Sequence, residues 1–112
     1  MKLITAVIQS ARVNAVRAAM EEAGVHGLTL TQAMGVGRQR GHTEVYRGAE
    51  VTVNLIPKSR LEVLVDDADA AHVTEVMVAA ARTGTIGDGK VWVLPVEEVV
   101  RVRTGERGSA AL

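Results

Sequence analysis

The order of the hydrophobic patterns limits most strongly how this chain can fold. Residues 3–8 are apolar and rich in β-branched side chains, which is typical of a strand buried on both faces. Apolar residues then recur at helical spacing over residues 13–23, and Gly24 stands where such a helix would end. Residues 28–31 alternate between apolar and polar side chains like a second strand. The chain therefore begins with a strand–helix–strand unit.

A second unit with the same order follows in the later half of the sequence. Apolar and polar residues alternate over 51–55 and again over 61–65, so Pro57 marks either a hairpin or a bend within one strand. The acidic residues at 66–69 suit a helix N-terminus, and an apolar stripe continues to Ala81. Residues 91–94 indicate another buried strand.

Two such units pack most simply as one α+β domain, a ferredoxin-like βαββαβ sandwich with both helices on one face of a four-stranded sheet. We assign residues 1–112 to this single domain. The other face of the sheet is apolar enough to need a cover, which favours a homo-oligomer. Residues 100–103 are expected to be extended, and residues 107–112 to form a frayed tail.

The segment that separates the two units, residues 35–50, lacks apolar periodicity. Glycine, charged residues, glutamine, histidine and threonine dominate it, so we expect a long exposed loop. A compact domain seldom carries a structureless loop of more than roughly 12–15 residues unless that loop has a function. This segment is therefore the first candidate for a functional role.

Composition argues against several classes of function. The 112 residues include no cysteine, which rules out disulfides, thiolate metal ligands and cysteine nucleophiles. The 13 basic residues balance 13 acidic ones, which argues against direct nucleic-acid binding. No apolar run resembles a signal peptide or a membrane span, so we expect a cytoplasmic protein. No serine–histidine–acid set, paired carboxylates or histidine metal motif is apparent, and we expect no enzyme activity.

A glycine-rich turn is a candidate for binding phosphate. Gly87 and Gly89 lie between a predicted helix and a predicted strand, where backbone N–H groups can approach an anion that Lys90 would also attract. Alternatively, the two glycines only supply positive φ in a turn. The spacing alone favours neither interpretation, because it matches neither a Walker A loop nor a dinucleotide-binding fingerprint.

Other polar residues carry less information when each is taken alone. Arg101 and Arg103 would share one face of an extended segment, where they form either a polyphosphate contact or a solvated basic edge. Residues 37–42 offer cations, an amide and flexible backbone at the root of the loop, but taken alone they are more typical of an ordinary polar loop. Lys58 and Glu62 are typical of surface residues by the same test.

Longer stretches of the sequence resemble one protein family. Residues 35–50 closely resemble the T-loop of the PII nitrogen-signalling proteins, with the sequence GVGRQRGHTEVYRGAE. Residues 83–93, TGTIGDGKVWV, resemble the same family's C-terminal pattern, and residues 101–106, RVRTGE, resemble its ending. The first four residues and the order of elements also fit, so the resemblance covers essentially the whole chain.

This resemblance implies a homotrimer of ferredoxin-like subunits with a nucleotide site in each cleft between neighbours. These sites would take ATP or ADP competitively, and ATP with Mg²⁺ would support binding of 2-oxoglutarate. The T-loop, at about residues 36–54, would dock on ammonium transporters and on nitrogen-assimilation enzymes or regulators, and a tail would follow from about residue 105 to 112. A membrane would be met only through a transporter partner.

The resemblance also assigns roles residue by residue. Positions that match the family's nucleotide contacts are Thr29, Gly35, Gly37, Arg38, Gln39, Glu62, Leu64, Gly87, Asp88, Gly89, Lys90, Arg101 and Arg103. Positions that match its 2-oxoglutarate contacts are Gln39, Lys58 and Gly87, and Gln39 also matches the Mg²⁺ ligand. Tyr46 and Arg47 match the part of the loop that contacts a partner protein.

The sequence departs from the family pattern at three places. Val51 stands where many members carry a tyrosine that receives a nucleotidyl group, so we expect no such modification. Val36 replaces a common phenylalanine, and Ser10 and Ala11 stand where a proline is usual.

The whole sequence has three interpretations: a non-catalytic signalling protein, which we favour; a slow ATPase; or a structural trimer of the same fold with a non-functional ligand site.

Overall fold

The computed structural model describes residues 1–37, 43–46, 49–52 and 55–112. For residues 43–46 and 49–52 only the pairing of the backbone is described. The strands are β1 (Lys2–Ile8), β2 (Thr29–Gly35), β3 (Thr43–Tyr46), β4 (Ala49–Thr52), β5 (Ile56–Val65) and β6 (Gly89–Pro95). The α-helices are α1 (Val13–Glu22) and α2 (Asp67–Ala81), and 3₁₀ turns cover Ser10–Arg12 and Gly108–Ala111.

Four of the strands form one antiparallel sheet in the order β2-β5-β1-β6. Ala6 in β1 lies opposite Leu61 on one side and Val91 on the other. A four-stranded antiparallel sheet with two helices is the predicted α+β arrangement, and it is consistent with the ferredoxin-like fold.

The core lies between one face of the sheet and the two helices. Ile4 and Ala6 of β1 lie level with Val63 and Leu61 of β5, and all four side chains are buried. The helices complete this cluster with Val16 and Met20 from α1 and Val73 and Met77 from α2. Side chains of a strand alternate between faces, so the residues between these positions belong to the opposite face.

That opposite face is partly apolar and partly exposed. Trp92, Leu64 and Leu94 keep 38%, 40% and 49% of their surface accessible. Thr5 of β1 lies opposite Trp92 and is fully buried in the single chain. This is the face that the sequence predicts to be covered, which favours a homo-oligomer.

Pro57 lies within β5 and is not the turn of a hairpin, but residues 51 and 52 belong to β4, so the single bent strand expected over residues 51–65 is also wrong. Pro57 is opposite Met34 of β2, whereas the last pair between β1 and β5 is Ile8 with Ser59. Pro57 therefore lies beyond the end of β1, where its missing N–H group interrupts no pairing with that strand.

The expectation of a structureless loop over residues 35–50 is wrong in part. β3 and β4 pair as a separate two-stranded antiparallel ribbon, in which Tyr46 lies opposite Ala49. Only two residues separate these strands, and such a spacing favours a hairpin even where charged residues and glycine obscure the apolar alternation.

The expectations for the end of the chain are also wrong. Val100 makes only an isolated bridge to Arg107, and the residues between them turn instead of extending. Residues 108–111 form a 3₁₀ turn, and the Ser109 hydroxyl lies 2.5 Å from Asp66 Oδ1. The tail is therefore attached to the N-terminus of α2.

Candidate functional site

The turn between α2 and β6 is organised around the carboxylate of Asp88. Its Oδ2 accepts hydrogen bonds from the backbone N–H groups of Thr83 at 2.7 Å and Gly84 at 2.8 Å. Its Oδ1 accepts from the Thr83 hydroxyl, and from Gln9 Nε2 at 3.2 Å. The carboxylate thus faces the turn itself, and a ligand on the outside of this turn would meet its main chain.

These bonds hold the pKa of Asp88 below its ordinary value of 3.8. The largest cause is the hydrogen bond from the Thr83 hydroxyl, followed by the bond from the backbone N–H of Thr83. Each of these donors stabilises the ionised carboxylate more than the protonated one.

The glycines of the same turn adopt conformations that other residues avoid. Gly87 has φ 102° and Gly89 has φ 98°. A Cβ atom on Gly89 would lie 1.8 Å from the carbonyl oxygen of Val7. The interpretation that these glycines supply positive φ is therefore confirmed, and it is compatible with backbone N–H groups that contact an anion.

Lys58 and Gly35 lie at the same end of the sheet as this turn. Lys58 Nζ donates to the carbonyl oxygen of Gly87 at 2.7 Å. Ile8 at the end of β1 is level with both Ser59 and Gly89, and Gly35 ends β2 opposite Ile56. We call Gly35, Gly37, Lys58 and residues 87–90 the glycine-turn cluster.

A second group of predicted site residues lines a groove elsewhere on the chain. Thr29 lies opposite Glu62 across the β2–β5 pair, and Leu64 follows on the same face of β5. All three line a cavity of about 710 Å³, together with the 23–28 connection, His72 and Leu112. Glu62 accepts a hydrogen bond from the Thr5 hydroxyl at 3.3 Å and pairs with Arg60 Nε at 3.5 Å.

Arg101 lies at this groove end of the chain, and Arg103 follows two residues later in the sequence. Arg101 Nη2 donates to the main-chain oxygen of Leu112 at 3.0 Å, and Leu112 lines the groove. The prediction that Arg101 and Arg103 project from one face of an extended segment is wrong. The chain turns over residues 102–104, and the N–H of Gly105 donates to the Arg101 carbonyl at 2.8 Å. We call Thr29, Glu62, Leu64, Arg101 and Arg103 the groove cluster.

A single chain does not bring the two clusters together. Glu62 is four residues from Lys58 along β5, which corresponds to about 13 Å at the rise of a β-strand. Gly89 is level with Ser59, and Leu64 lies five residues farther along, or about 17 Å. The sheet therefore presents two separate halves of the predicted nucleotide site.

A family model for "Nitrogen regulatory protein P-II" matches residues 1–106 of the chain. The chain belongs to the P-II family. A P-II protein of Azospirillum brasilense is 50% identical over 112 residues, with both chains covered in full. P-II 2 of Methanothermobacter thermautotrophicus is 47% identical over all of this chain and 97% of its own length, and P-II of Nostoc punctiforme is 45% identical over the full length of both chains. The names of these P-II relatives describe regulation and not catalysis, which fits the expectation of a non-enzyme.

Several predicted site residues of this P-II family member lie outside the described residues: Arg38, Gln39 and Arg47. Tyr46 and Val51 lie in β3 and β4, where the pairing of the strands is described. Within the described ranges no group of three or more histidine, aspartate or glutamate side chains is arranged to hold a metal ion. Nor does any helix there have the length and hydropathy of a membrane span.

Sequence reasoning missed the residues that hold the site in place. Thr83 and Gln9 fix the Asp88 carboxylate, and Glu106 contacts Arg101. Thr83 lies within residues 83–93, which resemble the P-II pattern, but Gln9 is 79 residues from Asp88 along the chain. No local pattern marks such a contact.

Proposed function

We propose that this protein is a cytoplasmic signalling protein that binds ATP or ADP and 2-oxoglutarate and regulates ammonium transport and nitrogen assimilation through its T-loop. The separation of the glycine-turn cluster from the groove cluster is the observation that carries this proposal. Two halves that a single chain keeps apart can form one site where two copies meet, as the family resemblance implies.

In a homotrimer, each pair of neighbouring subunits can bring the two clusters together. The open face of the sheet carries Trp92, Leu64 and Leu94, each at least 38% exposed in the single chain. Burying apolar side chains of this size favours association. In the proposed trimer these faces pack against one another, and a nucleotide lies in each cleft between neighbours.

The chemistry of the two clusters suits a nucleoside polyphosphate. Main-chain N–H groups of residues 87–90 and the exposed Lys90 would contact phosphates from one subunit. Arg101 and Arg103 of the neighbour would add charge-assisted hydrogen bonds. Thr29, Glu62 and Leu64 would surround the adenine and its sugar. Charge is thus concentrated at the cleft of a chain whose formal net charge is zero.

Lys58 links the phosphate turn to the proposed 2-oxoglutarate site. Its ammonium group is 2.7 Å from the Gly87 carbonyl oxygen, so a carboxylate bound at Lys58 would lie beside that turn. Mg²⁺ would be held by the Gln39 amide oxygen together with oxygens of ATP and 2-oxoglutarate, and it would join the two ligands electrostatically. We therefore expect appreciable 2-oxoglutarate binding only with ATP and Mg²⁺ present, and linkage requires 2-oxoglutarate to tighten ATP binding by the same factor.

The proposal is tested by calorimetric titration of the purified protein with ATP, ADP and 2-oxoglutarate, with and without Mg²⁺. Equal binding of 2-oxoglutarate with ADP, or without Mg²⁺, would contradict the coupling. Absence of any ATP binding would favour a structural trimer with a non-functional site. Release of phosphate over hours, measured on the same samples, would favour the slow ATPase.

We predict that Arg103→Ala weakens ATP binding about tenfold or more, because one charge-assisted hydrogen bond is worth roughly 1.5–3 kcal/mol. Arg17→Ala is the matched control, since Arg17 is an exposed arginine of α1 outside both clusters. Unchanged ATP affinity in the Arg103 variant, with its oligomeric state intact, would remove Arg103 from the site.

A further inference from the structure

The guanidinium of Arg101 already donates hydrogen bonds to two residues near the end of the chain, Glu106 and Leu112. Its Nη1 donates to Glu106 Oε1 at 3.1 Å, and its Nη2 donates to the main-chain oxygen of Leu112 at 3.0 Å. The backbone reinforces this arrangement, because the Arg101 N–H donates to the Glu106 carbonyl at 2.8 Å. The Glu106 carboxylate therefore offsets the positive charge that a phosphate would seek.

The same contacts hold the end of the chain at the groove. Leu112 lines the groove beside Thr29 and Glu62. The 3₁₀ turn before it is anchored by the Ser109 contact to Asp66 and by the Gly108 N–H, which donates to the Val99 carbonyl at 3.0 Å. Glu106 thus neutralises Arg101, while Ala111 and Leu112 lie at the place proposed for the base and sugar.

We infer that Glu106 and the Leu112 main-chain oxygen form a latch that competes with the polyphosphate for Arg101. The inference rests on the proposed nucleotide site and adds a regulation of it that lies within the chain. A phosphate oxygen that takes the place of Glu106 on Arg101 must displace a like-charged carboxylate. Opening the latch is then part of nucleotide binding.

The strength of the latch follows from its exposure. The side chains of Arg101 and Glu106 are 38% and 45% exposed, and ion pairs at such exposure are weak. The latch therefore lowers the affinity for nucleotide without abolishing binding. Because the competition is electrostatic, it should fade as salt screens the charges.

The test compares ATP binding by the full chain and by Glu106→Gln, which keeps the size of the side chain and removes its charge. At low ionic strength the variant should bind ATP about two- to fivefold more tightly, a factor set by the weakness of exposed ion pairs. This difference should shrink at high salt. Glu97→Gln is the matched control, since it removes an exposed carboxylate four residues before Arg101 and should leave the affinity unchanged.

Each other outcome overturns the latch. An unchanged affinity of Glu106→Gln means that the ion pair does not compete, and a weaker one means that Glu106 positions Arg101 for its ligand. Equal tightening in both glutamine variants means that overall charge, and not the latch, limits binding. If the unaltered protein binds no ATP at all, the proposed function and the latch are both refuted. ATP binding that does not respond to Glu106→Gln refutes the latch alone.

Discussion

At the scale of single residues, the glycine-rich turn before β6 depends on two main chains that approach one another closely. Gly89 begins β6 beside the carbonyl of Val7, and the added Cβ of any other residue would lie 1.8 Å from that oxygen. Both atoms belong to the paired strands β1 and β6, so neither can move without disturbing the sheet. The glycine is thus required by packing as well as by its φ.

We predict that Gly89→Ala lowers the free energy of unfolding by at least about 3 kcal/mol, because it combines a positive φ with a collision against backbone. Gly105→Ala is the matched control. Gly105 has φ 73°, but a Cβ there has no neighbour within 4 Å, so the cost is limited to about 1–2 kcal/mol of backbone strain. Denaturant unfolding of both variants measures the difference. Equal losses would show that the Val7 contact can relax.

Asp88 makes the stability of this turn dependent on pH. Its pKa is lowered in the folded chain, chiefly by the Thr83 hydroxyl, so its contribution is present above the unfolded pKa, near 3.8. That contribution is lost as the pH falls through the lower folded value. Asp88→Asn should therefore be less stable than the unaltered protein at neutral pH, and the gap should close in acid. Unfolding curves over a pH series test this, with Glu75→Gln, an exposed residue of α2 beyond its first turn, as the control. A gap that is independent of pH would contradict it.

At the scale of elements, local sequence patterns predicted the helices and strands that have a regular apolar face or contacts with residues nearby in the chain. The helical stripe from Val73 to Ala81 and the alternation around Val63 each follow from the period of the element, and each corresponds to α2 or β5. The end of the chain was not predicted, because its shape depends on Ser109 meeting Asp66, 43 residues away. A polar segment with small residues carries no sign of such a contact.

In the candidate site, too, the local structure was predictable from the sequence, and the structure that depends on distant contacts was not. The glycine turn was found from its own residues, since positive φ and two closely spaced glycines are local properties. The turn that contains Arg101 and Arg103 was wrongly expected to be extended, because Val100 and Val102 alternate with arginine as they would in a strand. Glu106 and Leu112 fold that segment back on itself.

The ribbon of β3 and β4 leads to a prediction about modification. Val51 lies in β4, opposite Glu44, at the position where many family members carry the modified tyrosine. An isopropyl side chain has no oxygen to accept a nucleotidyl group, and Tyr46 is five residues away at the end of β3. We therefore expect regulation by ligands alone, through the populations of T-loop conformations. Intact-mass measurement on protein from nitrogen-starved and nitrogen-replete cells tests this. A stoichiometric nucleotidyl adduct on Tyr46 would contradict it.

At the scale of the whole molecule, the open face of the sheet is the surface that the proposed trimer must bury. Thr5 is fully buried there, whereas Trp92 opposite it and Leu94 farther along β6 remain exposed in the single chain. Stability of the assembly and formation of the nucleotide clefts would then depend on the same face, because the clefts exist only between neighbouring subunits.

We predict that Trp92→Glu dissociates the trimer, because it places three carboxylates where apolar side chains would meet. Ala18→Glu is the control for surface charge, since Ala18 is an exposed residue of α1, on the side of the sheet away from the open face. Sedimentation velocity distinguishes trimers from monomers in both variants. A Trp92 variant that still sediments as a trimer would show that subunits associate through another surface.

The distance between the two clusters along β5 has a genetic consequence. In the proposed assembly, a chain with a damaged glycine turn still offers intact arginines to one neighbour, and a chain with damaged arginines still offers an intact turn. Neither mutant forms a working cleft alone. When both are expressed in one cell, every mixed trimer contains a cleft built from the two undamaged halves. Two defective alleles should therefore complement each other, as happens only when an active unit spans a boundary between polypeptides.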